Sequence, residues 1–428
     1  MTTSDSHEYA PPGSDEAALG ASRLADHRTN PRYSLVRLFC DLVWQPIRDV
    51  ILEAYNKQDY PLGYSPGLDG LRGFMTLGVM AAHIDVSMFP GIEIFMDIFF
   101  VMSGYFITGL LIKDVQLYGR VRFFQFYRRR FRRLLPPLMA MVAVFLIFSY
   151  FYLPDFKTKA IDAAIGFFYI ANWWRAFEWP GIRYMGHTWS LATEEQFYLL
   201  WPLTFLILYR FFGIGRRMVG VILMIALTIF AWRFWLTWQG ASFRRLYNGF
   251  DTRADALMIG CALAVVLTLV SAEYWSVLDR FFKKLAWPII VVVLGLTLIV
   301  LDYRGRLYYY AGIEAGGVVG AILIVILIRP LDTVLHRGLE RRELAFLGRI
   351  FYAMYLWHFP IFIVFQDDFG WPSWLRAVVG FPLTIAIAVL SYVLIERHFM
   401  RTKARGTTAD VDQTAHPSAV PVSISASR

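Results

Sequence analysis

Apolar residues along the chain fall into long blocks, separated by short links that are basic or aromatic. The runs LMAMVAVFLIFSYFYL (138–153), MVGVILMIALTIFAW (218–232), PIIVVVLGLTLIVL (288–301) and VVGAILIVILI (318–328) are each, with their flanks, long enough to cross about 30 Å of hydrocarbon. Lipid offers the backbone no hydrogen-bond partner, so each is predicted to be helical. Eleven apolar segments emerge, near 71–89, 92–112, 134–153, 161–176, 189–210, 217–236, 254–271, 286–302, 311–328, 350–366 and 376–396. Positive charge tests that count. The link KDVQLYGRVRFFQFYRRRFRR (113–133) is intensely basic, and RFFGIGRR (210–217) and RPLDTVLHRGLERRELAFLGR (329–349) are basic too, so all belong on the cytoplasmic side. Eleven crossings would put the first two on opposite faces. Residues 161–176 are short and carry polar positions; read as a re-entrant or outer-face helix, they leave ten crossings and both termini in the cytoplasm. The expected fold is therefore all-α, a polytopic membrane helix bundle of about ten transmembrane helices plus that short helix.

The ends read differently. Residues 1–33 and 401–428 are polar and rich in Ser, Pro, Ala and Thr, and are expected to be disordered cytoplasmic tails. Residues 34–65 mix apolar and charged positions at helical spacing, which predicts an amphipathic segment lying on the membrane, and 66–400 form one membrane domain. The first residues lack a charged region followed by an apolar core, so no cleaved signal peptide is expected. A mean hydropathy of +0.47 excludes an ordinary soluble domain. The net charge of +9 would raise nucleic acid as a partner in a soluble protein, but here the basic residues cluster between apolar spans and fit anionic lipid instead. From Cys40 and Cys261 we expect neither a disulfide nor a metal site.

Against this background the stretch RGFMTLGVMAAH (72–83) is unusual, because two ionisable residues bracket ten that are mostly apolar. Eleven helical steps of about 100° return almost to the starting direction, so Arg72 and His83 share one face, roughly 16 Å apart along the axis. An isolated charge in hydrocarbon costs several kcal/mol, which favours a protein-lined or wet surrounding. The plainer alternatives are an Arg72 that snorkels to the interface, tied to Asp69, and a His83 hydrogen-bonded in the core. The returning helix carries Asp97 at a depth similar to His83, and a carboxylate there would orient the imidazole as a base; an interfacial carboxylate without function fits equally well. The following Ser103 and Gly104 read as close helix packing rather than a nucleophile. His187, Glu194 and Glu195 are placed at the outer mouth of a crossing, where the carboxylates are candidates for binding an acceptor's hydroxyls. Arg253 and Asp255 at another outer helix end, and His358 in mid-span, complete the candidates; His358 is either functional or simply packed.

In order along the chain, LDGLRG (68–73) with the arginine-to-histidine spacing, FFVMSGYFIT (99–108), YRRRFRRLLPP (127–137), WSLATEEQFYLLWP (189–202), DTRADALMIG (251–260), YLWHFP (355–360) and SYVLIER (391–397) resemble the acyltransferase 3 family of integral membrane acyltransferases. The resemblance covers roughly residues 66–400. It implies transfer of an acyl group, often acetyl, from cytoplasmic acyl-CoA to a hydroxyl of a cell-envelope polysaccharide, glycolipid or small molecule, in the cell (inner) membrane. The donor is then a substrate, with no bound cofactor and no metal. The family's key arginine and histidine fall on Arg72 and His83. Arg72, with Arg129, Arg130, Arg132 and Arg133, would bind donor phosphates, and His83 would take the acceptor's proton or help carry the acyl group. The sequence departs from the family at ERHF (396–399), where His398 replaces a proline and puts the end of the last helix in doubt. No long C-terminal domain follows, so an esterase-like fused domain is not expected. The competing reading is a transporter or flippase for a lipid-linked or anionic substrate, using the same polar track as a pathway.

Overall fold

The computed structural model describes residues 65–85, 90–286, 302–329 and 331–401, with scattered positions between 287 and 301 and at Gln45. The tails apart from Arg401, and the 34–65 segment apart from Gln45 and Ser65, lie outside the described residues. The elements below belong to one compact unit, Ala54–Arg428. Helix α1 is Pro66–Ile84, with Pro66 in the first turn, where its missing N–H costs nothing, and Asp69 complementing the helix dipole. Helix α2, Ile94–Tyr118, is closed by Gly119 at φ 66°, a left-handed cap. The basic link then opens α3, Phe123–Tyr152. Residues 161–176 fall within two short helices, α4 (Phe156–Phe167) and α5 (Ala171–Ala176), neither long enough to span. Next come α6 (Thr188–Phe212), α7 (Arg216–Trp238), α8 (Phe243–Asn248), α9 (Ala254–Leu269) and α10 (Ala272–Phe281). A π-helical turn, Tyr308–Gly312, leads into α11, Ile313–Leu327. The chain continues through α12 (Val334–Leu339), α13 (Arg342–Arg349), α14 (Phe351–Ile363) and α15 (Ser373–Ser391) to α16 (Arg397–Arg401).

The expected ten crossings are met only in part among the described helices, and the expected span at 286–302 lies largely outside the described residues. Five are long and apolar enough to cross a membrane, Ile94–Tyr118, Phe123–Tyr152, Arg216–Trp238, Tyr308–Leu327 and Ser373–Met400, or six if α13 and Phe351–Asp368, bent by 73°, count as one span. The physical reason lies in the helices that fall short. α1 carries Asp69, Arg72 and His83, α6 carries Glu194, Glu195 and Gln196, and α9 has only 16 residues. Polar and short helices need shelter, and the apolar ones provide it. In the most apolar 18-residue stretch of each, 78% of residues in α2 and 61% in the Tyr308–Leu327 helix are buried within the protein, against 28, 17 and 22% in α3, α7 and Ser373–Met400, which present their apolar sides outward.

Close approach at the centre depends on glycine. A Cβ at Gly104 of α2 would stand 2.0 Å from the Leu257 carbonyl oxygen, and one at Gly260 of α9 2.0 Å from that of Val101, so α2 and α9 touch backbone to backbone. The LDGLRG stretch uses the same device: a Cβ at Gly70 would fall 1.7 Å from the Leu339 carbonyl oxygen, which lets α1 lie directly on α12 and α13. At the end of the chain, with no proline at position 398, helix continues beyond Glu396 through α16.

Candidate active site

Arg72 and His83 both face α14. The Arg72 guanidinium is 3.1 Å from Asp69 and stacks over the rings of Phe106 and Phe351 at 4.4 and 5.3 Å. Two helical turns further along α14, His358 Nε2 is 3.0 Å from His83 Nδ1. His358 Nδ1 in turn is 3.1 Å from the Met354 carbonyl oxygen. These contacts fix the protons. A carbonyl only accepts, so His358 Nδ1 carries the hydrogen; a neutral imidazole has one donor and one acceptor, so His358 Nε2 accepts. His83 Nδ1 is then the donor, and His83 Nε2 is left with its lone pair. His187, at the start of α6, joins the pair: its ring stacks on Phe359 at 4.9 Å and lies 5.4 Å from His358, while Phe359 meets His83 edge-on at 4.8 Å.

His83 and His187 open onto a cavity of about 480 Å³, walled also by Arg175, Glu93, Tyr247, Tyr355 and Arg376. Arg72 is not part of its wall. The loop that delivers His187 is anchored from α4: buried Asp162 accepts the backbone N–H groups of Arg183, Tyr184 and Met185. The Tyr355 hydroxyl donates to the His187 carbonyl at 2.9 Å and meets Ser190 Oγ at 2.5 Å, tying α14 to the same turn.

Several residues expected at the site are placed elsewhere. Asp97 is not the partner of His83: it is fully buried, 2.6 Å from Arg253 Nη2, and accepts the Tyr308 hydroxyl at 2.7 Å. Matching depths on two helices did not settle which faces meet. Arg253 is likewise committed, with Tyr247 and Phe100 rings around its guanidinium at 5.0 and 5.6 Å, and Asp255 is bonded to buried Arg233, which also holds Glu314. Neither Arg253 nor Asp255 lines the cavity. Glu194 does not line the cavity. It accepts from Ser103, which receives the Tyr198 hydroxyl at 2.9 Å, and it stands in the field of Arg130 and Arg72, on the side of the basic link. Glu195 keeps company with Arg130, Tyr169 and Tyr352. His187 at the start of α6 is only 2% exposed, whereas Glu194 and Glu195, two turns on, are half-buried and turned toward Arg130 rather than the cavity.

The basic link meets this lower group. Arg130 lies over the Tyr198 ring at 3.6 Å, Arg129 is 3.9 Å from Asp114, and Arg133 acts electrostatically on Asp69 and Glu396. Arg132 is half-buried on the same helix. Arg72, Asp69, Arg130 and Arg133 thus gather toward one end of α1, and the histidine cavity toward the other. Among the described residues no group of three or more His, Cys, Asp or Glu side chains is arranged to hold a metal.

A paired imidazole toward one end of α1 and guanidiniums toward the other make this the candidate site for group-transfer chemistry. A family model described as an acyltransferase domain matches residues 65–393. The chain belongs to this acyltransferase family. It is 33% identical over 353 residues to the peptidoglycan O-acetyltransferase OatA of Listeria monocytogenes, covering 79% of this chain and 56% of that protein. To the O-acetyltransferase OatA of Staphylococcus aureus it is 30% identical, over 79% of this chain and 57% of the relative. The putative peptidoglycan O-acetyltransferase YrhL of Bacillus subtilis is 34% identical, over 78% and 54%. The chain thus spans somewhat more than half the length of these relatives. No solved structure matches.

Sequence reasoning missed the His83–His358 bond and the cavity residues Arg175, Glu93, Tyr247 and Arg376. A histidine at mid-span in YLWHFP was the available signal for the first. Arg175 had a weaker one, as a lone cation in the polar IANWWRA stretch.

Proposed function

We propose that this protein is a membrane O-acyltransferase that moves an acyl group, in the simplest case acetyl, from acyl-CoA on the basic side of the bundle to a hydroxyl of a cell-envelope polysaccharide, glycolipid or small molecule. The observation that carries the reading is the 3.0 Å bond from His83 Nδ1 to His358 Nε2, which leaves Nε2 as the acceptor of a histidine that lines the cavity. In the reaction, the acceptor oxygen attacks the thioester carbon as its proton passes to His83 Nε2. The C–S bond then breaks, and the proton leaves with the CoA thiolate as the thiol. Positioned general-base catalysis of this kind contributes about 10²- to 10⁴-fold.

Arg72 is the proposed phosphate anchor, with Arg129, Arg130, Arg132 and Arg133 giving the donor end its positive potential. The rings of Phe106 and Phe351 hold the Arg72 guanidinium in place, a restraint that lysine's point charge would use less well. About 16 Å of helix separates Arg72 from His83, a distance that a pantetheine arm reaching along the α14-facing side of α1 would have to cover. The peptidoglycan activity named for the relatives supports an envelope acceptor for this chain. On the positive-inside rule, the basic end and both termini are cytoplasmic and the histidine cavity opens outward. The test is label transfer from [¹⁴C]acetyl-CoA by the purified protein supplied with envelope acceptors. Transfer by wild type and its loss in His83→Ala supports the reading; transfer that persists in His83→Ala overturns it.

A further inference from the structure

The cavity above the histidines carries more positive charge than hydroxyl recognition calls for. Four arginines line it, Arg175, Arg183, Arg304 and Arg376, against two acids, Asp85 and Glu93. Glu93 already accepts the Tyr247 hydroxyl. Arg183 is held by both oxygens of Asp367, at 2.6 and 2.8 Å, and Arg304 donates to the neighbouring Tyr303 hydroxyl at 3.2 Å.

Arg175 and Arg376 are different. Arg376 is 7% exposed; its Nη1 donates to Gln366 Oε1 at 2.6 Å, its Nη2 to the Ile84 carbonyl and Ser373 Oγ at 3.2 Å, and its buried Nε has no hydrogen-bond partner. Arg175 donates from Nε to Asn248 Oδ1 at 2.9 Å. Every one of these hydrogen-bond partners is neutral; the carboxylates of Glu93 and Asp162 act on Arg175 only through the field, without a hydrogen bond to it. Buried cations ordinarily sit against a carboxylate, because a charge removed from water costs far more than neutral hydrogen bonds return. Both guanidiniums also stand beside the proposed base. Arg376 bonds the carbonyl of Ile84, next to His83, and the Arg175 Nη1 lies so close to Gly186, next to His187, that a Cβ there would be 2.6 Å away.

We propose that the acceptor is acidic, a hydroxyl-bearing molecule whose carboxylate or phosphate is held by Arg175 and Arg376 while its hydroxyl reaches His83 Nε2. This rests on the acyltransferase reading and names its second substrate class. Guanidinium is suited to both anions, since its fork matches two oxygens at once. The cavity, about 480 Å³, is the size of small-molecule sites and takes one sugar unit with its acidic group.

The test is equilibrium binding of labelled glucuronate, glucose 6-phosphate and glucose to the purified full-length protein, without an acyl donor. At least one acid should bind ten-fold or more tighter than glucose, and whichever acid does so tells carboxylate from phosphate. Arg175→Gln and Arg376→Gln should each weaken that acid at least ten-fold and leave glucose unchanged, as expected for losing a charge-assisted hydrogen bond. Arg376→Lys and Arg175→Lys keep the charge in case a glutamine variant fails to fold, and should retain a preference for the acid. Lack of acid-selective binding by wild type at millimolar concentration overturns the proposal, as does an undiminished preference in glutamine variants that melt like wild type. Because no thioester is present, such a failure is distinct from failure of acetyl transfer, which would strike the acyltransferase reading itself.

Discussion

His358→Ala tests the proton arrangement at the site. In the wild type the His83 Nδ1–H has a buried acceptor 3.0 Å away, and that bond selects the tautomer whose Nε2 is basic. Removing the acceptor leaves a buried donor unsatisfied, at a cost of about 1–3 kcal/mol borne only by the active tautomer. With about 1.4 kcal/mol for each factor of ten, kcat should fall about 5- to 150-fold, with KM for the donor little changed. His358→Gln should recover much of the loss, because its amide oxygen can accept from His83 while its nitrogen donates to the Met354 carbonyl, the two roles His358 fills. Steady-state acetyl transfer by the purified variants, with folding checked by thermal unfolding, provides the readout. If His358→Ala retains wild-type kcat while His83→Ala is inactive, the tautomer argument is refuted.

Other substitutions separate chemistry from support. Arg72→Ala should raise KM for acetyl-CoA about ten-fold or more without changing the acceptor's KM, because one charge-assisted phosphate contact is lost; equal donor affinity in wild type and variant would remove the clamp. Asp97→Ala strands Arg253 as an unpaired buried cation, so it should destabilise the bundle by about 3–5 kcal/mol. Thermal unfolding in detergent would show this, and Asp97→Ala with Arg253→Met should recover most of the loss. Gly104→Leu should prevent α2 and α9 from meeting at the backbone, seen as lost expression of folded protein; normal folding would contradict the contact. Asp162→Ala frees the three backbone donors of residues 183–185 and should lower kcat through His187's loop, while Asp162→Asn should lose less.

What was legible in the sequence follows from periodicity and spacing. The eleven-residue step from Arg72 to His83 does place both on the side of α1 that faces α14, since helical phase is a property of one segment alone. The closeness implied by Ser103-Gly104 is met at Gly104, where the α9 backbone comes into contact. Pairings between helices were not legible. Asp97 and His83 match in depth on paper, yet their side chains meet Arg253 and His358, because rotation about each helix axis is set by packing that one sequence does not display. The span count is met only in part for a related reason. Hydropathy treats each segment as if lipid surrounded it, whereas α1 and α6 keep their charged residues among other helices. Glu194 and Glu195 stand beside Arg130 and off the cavity, another pairing between helices that one sequence does not display.

The most direct measurement is an experimental structure of the protein with a non-hydrolysable thioether analogue of acetyl-CoA. The phosphates should lie against Arg72 and the arginines of the basic link, with the acyl carbonyl carbon near His83 Nε2 and space for an attacking oxygen at about 3–3.5 Å between them. An analogue whose acyl end lies away from His83, or whose phosphates occupy the histidine cavity, would contradict the proposed reaction.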